Sequence, residues 1–254
     1  IKKIFTPRDC FRELSNKNHI TKIENRSKQL CELFLNKGEI PENSIGITGS
    51  TMIGLAKENS DIDLLIYGTE TSVAFQEKLK SIFEISNKCR MYKNEEYKRH
   101  YKWRVGGSNI SFQNFLKSET RKLHQGKFYG IDFFLRYIKS PEDWNGNFYD
   151  FKFENYGRIS IKAKIIDSSD SIFTPCSYKI TPIKIIESDI KFDDVLLNIL
   201  REISSFRGRF CEHAKLGEIV LVEGKLEKIF YKNSFNHFRI LLEDQFKDKM
   251  IILS

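Results

Sequence analysis

The chain has 254 residues, 40% apolar and 30% charged. That is enough for a sizeable core in one large or two modest domains, and its 21 Phe and 10 Tyr exclude a disordered or fibrous class. A net charge of +8 favours a polyanionic or phosphorylated partner, although a lysine-rich proteome produces the same balance. Cys10, Cys31, Cys89, Cys176 and Cys211 are odd in number and far apart, and they form neither a disulfide framework nor a zinc-ligand pattern. They read as reduced thiols of a cytoplasmic protein. No apolar run reaches the ~20 residues of a membrane span and no signal peptide opens the chain. The first residue, Ile1, is the start expected of a fragment.

Residues 1–20 predict no element. From Ile23 to Asn36, Ile23, Leu30, Leu33 and Phe34 share one helical face, and Gly38 is a natural stop. After a turn over Pro41–Ser44, Ile45–Thr48 reads as a short strand ending in Gly49-Ser50. A brief helical turn and a polar loop fill 51–60. Asp61–Tyr67 is a strand too apolar for a sheet edge, closed by Gly68. Thr71–Ser86 is helical through Phe75, Leu79, Ile82 and Phe83, and a further helix is expected between Ser111 and Leu123. Gly126 and Gly130 bracket the approach to a strand over Ile131–Ile138. Beyond Pro141 the pattern turns to short alternating runs over 158–187, 218–231 and 238–242, with a short helix around Asp193–Arg201. A domain boundary is therefore expected in Asn145-Gly146-Asn147, dividing 1–145 from a β-rich 146–254.

The informative stretch is Gly49-Ser50, ten residues, then Asp61-Ile62-Asp63 and an apolar run. Residues i and i+2 of a strand point the same way, so Asp61 and Asp63 set two carboxylates side by side. Such a pair is costly to desolvate unless a positive group neutralises it. Magnesium does so with oxygen ligands and accepts substrate phosphates as well. Gly49-Ser50, together with Thr51, offers backbone N–H groups and hydroxyls to a phosphate tail. Glu58 reads as a solvated loop residue, and His100 and His124 as surface or acceptor-side residues.

Ile47-Thr48-Gly49-Ser50, followed after ten residues by Asp61-Ile62-Asp63-Leu64, resembles the signature of the DNA-polymerase-β nucleotidyltransferase superfamily. The resemblance implies an α+β fold with a mixed sheet flanked by helices. It also implies a third carboxylate from a later strand, for which Asp132 in Tyr129-Gly130-Ile131-Asp132-Phe133-Phe134 is the best match. Two magnesium ions, or manganese in their place, would be bound by Asp61, Asp63 and Asp132, and Gly49, Ser50 and Thr51 would hold the nucleoside triphosphate. The acceptor hydroxyl would attack the α-phosphate in line. The runs Arg158–Ile166, Ser171–Cys176 and Ser205–Glu212 are similar to an archaeal group of predicted nucleotidyltransferases. A departure stands at Met52-Ile53-Gly54, where many small members carry an Ala-Arg-Gly-like run and hence an arginine.

Residues 88–104 hold seven basic against two acidic side chains, interleaved with Tyr92, Tyr97, Tyr101 and Trp103. Lys98, Arg99, Lys102 and Arg104 suit a nucleic-acid backbone, as do Arg207 and Arg209 beside Phe206 and Phe210. An ordinary solvated face explains the first group equally well. For the second, Phe206 and Phe210 plugging a barrel, with the arginines pairing to Glu202 and Glu212, is the competing reading. The β-rich part is expected to be a small barrel resembling the oligonucleotide-binding fold. Three functions stay open: nucleotidyl transfer to a nucleic-acid end, RNA above all; transfer to a protein or small molecule; and a catalytically silent nucleic-acid-binding module. No membrane partner is expected.

Overall fold

The computed structural model describes residues 4–254 except 106, 145, 192 and 193, and the side chains of 194 and 195. The chain forms two compact units. One runs to Tyr92 and resumes over Leu123–Asp143; the other comprises Lys93–Lys122 and Trp144–Ser254. The chain thus crosses between units three times. The last crossing lies next to the expected boundary loop, whose Asn145 is outside the described residues. The first two crossings lift a segment of the expected N-terminal domain into the second unit.

In the first unit, α1 (Pro7–Asn16) is capped by the Thr6 hydroxyl, which accepts from Asp9 N–H, and has Pro in its first turn. Only Phe11 and Leu14 of this helix are buried, which is why its sequence shows no clear periodicity. A reciprocal Thr21/Glu24 capping box opens α2 (Lys22–Gly38). Helix α2 ends at Gly38, where the sequence placed its stop. The left-handed residue is Glu39, at φ 52°, and Gly38 is needed for close approach, since a Cβ there would stand 2.4 Å from the Phe75 ring.

Strand β1 (Ile45–Ile47) runs antiparallel to β2 (Ile62–Tyr67). Short helix α3 (Gly49–Met52) lies between them in sequence, and α4 (Thr69–Ile85) follows β2. Strand β3 (Cys89–Arg90) pairs antiparallel with β4 (Gln125–Phe128), which leads by a tight turn to β5 (Ile131–Ile138). The sheet order is β1-β2-β5-β4-β3, with β2 and β5 parallel. Strand β2 lies inside the sheet, as its apolar run requires. Ile62, Leu64 and Ile66 are fully buried, as are Phe133, Leu135 and Tyr137 on β5; Phe133 meets Phe34 of α2 edge-on, and Phe34 in turn meets Phe75 of α4 edge-on. The opposite face of these strands is left for Asp63 and Asp132.

In the second unit, α5 (Asn94–Arg104) and α6 (Phe112–Glu119) pair with each other. Six strands follow: β6 (Phe151–Asp167), β7 (Cys176–Ser188), β8 (Leu200–Ser205), β9 (Ile219–Tyr231), β10 (Ser234–Leu241) and β11 (Lys249–Ile252). A one-turn helix α7 (Asp194–Leu197) precedes β8, so of the expected Asp193–Arg201 helix Asp193 lies outside the described residues and Leu200 onward is strand. Strand β6 pairs with β7, β7 with β8, β8 with β10 in parallel, β10 with β9, and β9 back with β6. The ring is closed, a barrel with no free edge among these five strands, and β11 adds to β9 outside it. Register shifts along β6 let so long a strand bend around the ring. Ile159, Ile161, Ala163 and Ile165 alternate inward against Tyr178, Val220, Val222 and Ile240.

His213 lies buried in this unit. Its Nε2 stands 2.7 Å from the Met250 carbonyl, which only accepts, so Nε2 carries the proton. Burial, reinforced by the cation Lys122, pushes its pKa down to about 3. Folding therefore favours the neutral ring, and that contribution is complete above the usual histidine range and is lost as pH falls toward 3. Urea unfolding at pH 7, 5.5 and 4 should show wild type losing about 1.4 kcal/mol per pH unit from this proton. His213→Gln should have a correspondingly shallower slope; parallel slopes would refute the assignment.

His100 and His124 correct the sequence reading. They are buried, at 4% and 1% exposure, with His100 edge-on to Trp103 and His124 edge-on to Phe134. Neither is a surface residue. All five cysteines are free thiols, four of them buried, and no helix among the described residues is long and apolar enough to cross a membrane.

Candidate active site

Three local features shape the polar face of the first sheet. The first is the turn after β1. Gly49 takes φ +62°, and a Cβ on it would stand 2.2 Å from Asp63 Oδ2, so only glycine lets the chain pass this carboxylate. Thr48 N–H donates to the Asp63 carbonyl at 2.9 Å, tying the turn to β2. Ser50 is half-buried, while the Thr51 hydroxyl is buried with no hydrogen-bond partner among the described residues.

The second feature is the carboxylate pair. Asp63 stands half-buried on β2 and Asp61 is exposed just before it. Among the described residues neither carboxylate has a hydrogen bond or an ion pair. Burial raises the Asp63 pKa, the neighbouring Asp61 charge raises it further, and Arg136 on β5 opposes both. Two carboxylates thus share one place with their charge largely unbalanced.

The third feature is the β4–β5 hairpin. Its two-residue turn, Tyr129-Gly130, has φ of 47° and 83°, both positive as a type I′ turn requires. That turn sets Lys127 opposite Asp132, and the Lys127 ammonium donates to Asp132 Oδ2 at 2.8 Å. Asp132 itself stands one residue before Phe133, just as Asp61 stands one residue before Ile62, and those two are partners in the parallel β2–β5 ladder. Register therefore brings Asp61, Asp63 and Asp132 to neighbouring positions on one face. Lys127 and Arg136 belong to the same constellation and were missed in the sequence. Their signals were available: Lys127 mirrors Asp132 across the Tyr-Gly turn, and Arg136 shares the strand parity of Asp132.

Among the described residues no group of three His, Cys, Asp or Glu side chains is arranged to hold an ion, and the Lys127 ammonium already occupies one Asp132 oxygen. The donors present nonetheless suit a hard divalent cation of the magnesium kind. Such an ion binds through one or two carboxylates and draws its remaining oxygens from water and phosphate. An unbalanced pair of carboxylates beside a glycine turn meets that requirement.

The basic residues singled out in the sequence fare differently. Lys98, Arg99 and Lys102 are exposed on α5, and Lys98 pairs with Glu95 at 2.9 Å. Arg104 is tied to Glu119 at 2.8 Å with little exposure on either side. Arg209 donates to the Arg104 and Gln245 carbonyls, and Arg207 donates to the Glu243 carbonyl. Phe210 is fully buried while Phe206 is 60% exposed. The plug reading holds for Phe210 alone, and the arginines hold backbone carbonyls rather than Glu202 or Glu212. Glu58 is exposed in its loop.

Residues 23–168 match the nucleotidyltransferase domain family. An uncharacterized protein of Methanocaldococcus jannaschii is 27% identical over 220 residues, which cover 87% of this chain. The matched stretch is 61% of that relative's length. No solved structure matches the chain significantly.

Proposed function

The chain belongs to the nucleotidyltransferase domain family, and on that premise we propose that it moves a nucleoside monophosphate from a nucleoside triphosphate to a hydroxyl at a nucleic-acid end, RNA in particular. The acceptor oxygen bonds to the α-phosphorus, the bond to the β-phosphate oxygen breaks, pyrophosphate leaves, and the hydroxyl proton passes to solvent by way of Asp132. The observation that carries this reading is the unbalanced Asp61/Asp63 pair, with Asp63 pressed against the Gly49 turn. Two divalent ions, magnesium or manganese, would be held by Asp61 and Asp63, with Asp132 completing one, and would supply charge neutralisation to the triphosphate and an acidified acceptor hydroxyl.

The chain's own groups do the rest. Gly49, Ser50 and Thr51 offer backbone donors to the phosphate tail, and the Thr51 hydroxyl, which has no hydrogen-bond partner among the described residues, is a further donor. Lys127 holds one Asp132 oxygen through its ion pair and so fixes the side chain on this face. Arg136 offsets part of the negative charge at Asp63. The ring order of the barrel, with its parallel pair between third and fifth strands, supports reading 146–254 as an oligonucleotide-binding-like domain.

The test is to incubate the chain with each α-labelled triphosphate and cell extract, with magnesium and with manganese, and follow the label. Label in RNA supports the proposal; label only in protein or small molecules, or none at all, overturns it. Asp132→Asn should slow transfer by about 10²- to 10⁴-fold while leaving triphosphate affinity within about twofold, because its role is on the acceptor side. A matching loss of triphosphate binding would place Asp132 elsewhere in the mechanism.

A further inference from the structure

The open face of the first sheet continues beyond the carboxylates, and the β2–β5 ladder fixes what stands on it. Buried and half-buried residues alternate along both strands, so Asp63, Leu65 and Tyr67 of β2 share this face with Asp132, Phe134 and Arg136 of β5. The parallel register sets Asp63 beside Phe134, Leu65 beside Arg136 and Tyr67 beside Ile138. Each of these rows lies ~6.6 Å beyond the last, two residues of strand rise. Arg136 therefore stands one row past Asp63, and Tyr67 two rows past it.

Two cations belong to these rows. The half-buried Arg136 guanidinium lies 5.1 Å from the Phe134 ring centroid, and its charge reaches Asp63 strongly enough to oppose the rise in that carboxyl's pKa. Arg8, exposed on α1, stands over Tyr67 with its Cζ 4.1 Å from the ring centroid. Helix α1 reaches this place because Gly46 of β1 has no side chain; a Cβ there would stand 2.6 Å from the Pro7 backbone. Among the described residues neither arginine has an ion pair or a hydrogen bond, whereas Lys127 of the same face is taken up by Asp132. A guanidinium resting against a ring still offers N–H donors in the fork that matches a phosphate.

The side of the ladder indicates which phosphates these would be. The Gly49 turn, proposed to hold the triphosphate, meets Asp63 from the β1 side of β2. Arg136 lies on the other side, on the strand that carries Asp132, whose proposed role is toward the acceptor. An acceptor with a single anionic group would use one of these cations. Two of them at successive rows suit a chain with a phosphate at every repeat. We propose that Arg136 receives the phosphate next to the acceptor's terminal hydroxyl and Arg8 the next phosphate along, so that β2 and β5 carry a phosphate track leading to the carboxylates. The proposal deepens the RNA-acceptor reading and rests on it, but binding is measured without transfer.

The experiment is fluorescence anisotropy of the full chain, with magnesium and no triphosphate, against a labelled single-stranded RNA ending in a 3′ hydroxyl. Two further RNAs carry a neutral methylphosphonate in place of the last or the penultimate linkage, with the same 2′-O-methyl sugars there in all three. Arg136→Gln should weaken binding of the all-phosphate RNA by about tenfold or more, the loss of a charged hydrogen-bond contact, and flatten the log–log salt dependence by about 0.7. On the RNA with a neutral last linkage the same substitution should cost less than about twofold, because its partner is already gone. Arg8→Gln should show this coupling with the penultimate linkage and none with the last. Arg136→Lys, which keeps the charge beside Asp63, should keep the salt dependence. Thermal melts verify folding, and if Arg136→Gln does not fold, Arg8→Gln with its own linkage decides. No RNA binding by wild type, equal losses on charged and neutral linkages, or a loss confined to triphosphate affinity would overturn the proposal. Label entering RNA without this coupling would uphold the acceptor reading and refute the track, whereas coupling with label entering only protein would do the reverse.

Discussion

Asp61→Asn and Asp63→Asn should each reduce nucleotidyl transfer by about 10³-fold or more, while the proteins without metal melt no lower than wild type. Each carboxylate is proposed to neutralise metal that in turn stabilises several kcal/mol of transition-state charge, and ~4 kcal/mol is about a thousandfold in rate. The stability half of the prediction follows from repulsion. Burial and the Asp61 charge together raise the Asp63 pKa, which means that the ionised pair opposes folding at neutral pH; a neutral amide of the same shape relieves that cost. Single-turnover rates and thermal melts measure the two parts. Near-normal transfer in either variant would eliminate the carboxylate pair as the catalytic centre, and a large fall in melting temperature would assign it a structural role.

The largest effect on stability should come from the second unit, at Glu119. Its carboxylate accepts from Lys122, whose side chain is wholly buried, and from Arg104 at 2.8 Å. Lys122 also donates to the Arg209 carbonyl. Burial drives the Lys122 pKa down, and Glu119 is the main influence that holds it up. Glu119→Ala therefore leaves an ammonium with no counter-charge in a dry place, and a loss of about 3–5 kcal/mol is expected. Lys122→Met should cost less, because Glu119 keeps Arg104 and the methionine fills similar volume. Urea titration of the two variants provides the comparison. Equal losses would show that the lysine stem, not the charge balance, matters here.

The pattern of the candidate site was legible because it is local. Two aspartates in i, i+2 relation on an apolar strand, preceded by Gly49-Ser50 at a fixed distance, need no knowledge of distant contacts. The barrel strands were legible for the same reason, through alternation in β6, β7 and β9. Lys127 and Arg136 carried signals in the turn symmetry and strand parity, but those signals gain meaning only once the Tyr129-Gly130 turn and the β2–β5 pairing are known. Burial of His100 and His124 was hidden because a polar residue buried by tertiary packing leaves no mark in periodicity. At Gly38 the helix stop was legible but the close approach of Phe75 was not, since a glycine that admits a neighbouring helix looks in one dimension like one that only ends its own. Helix α1 lacks the repeated apolar stripe, and its Thr6 cap with Pro7 was the available clue.

The three crossings of the chain between its units have a consequence for the order of synthesis. The pair α5–α6 leaves the ribosome before β4 and β5, yet it belongs with strands that are made only after residue 144. At ordinary elongation rates the barrel follows on the order of ten seconds later. During that interval the barrel is not there to bury Arg104, Glu119 and Lys122, and their charges stay hydrated. The same three side chains that hold the finished unit together thus act earlier as solubilising groups. Their hydration is surrendered only when the barrel arrives to replace it.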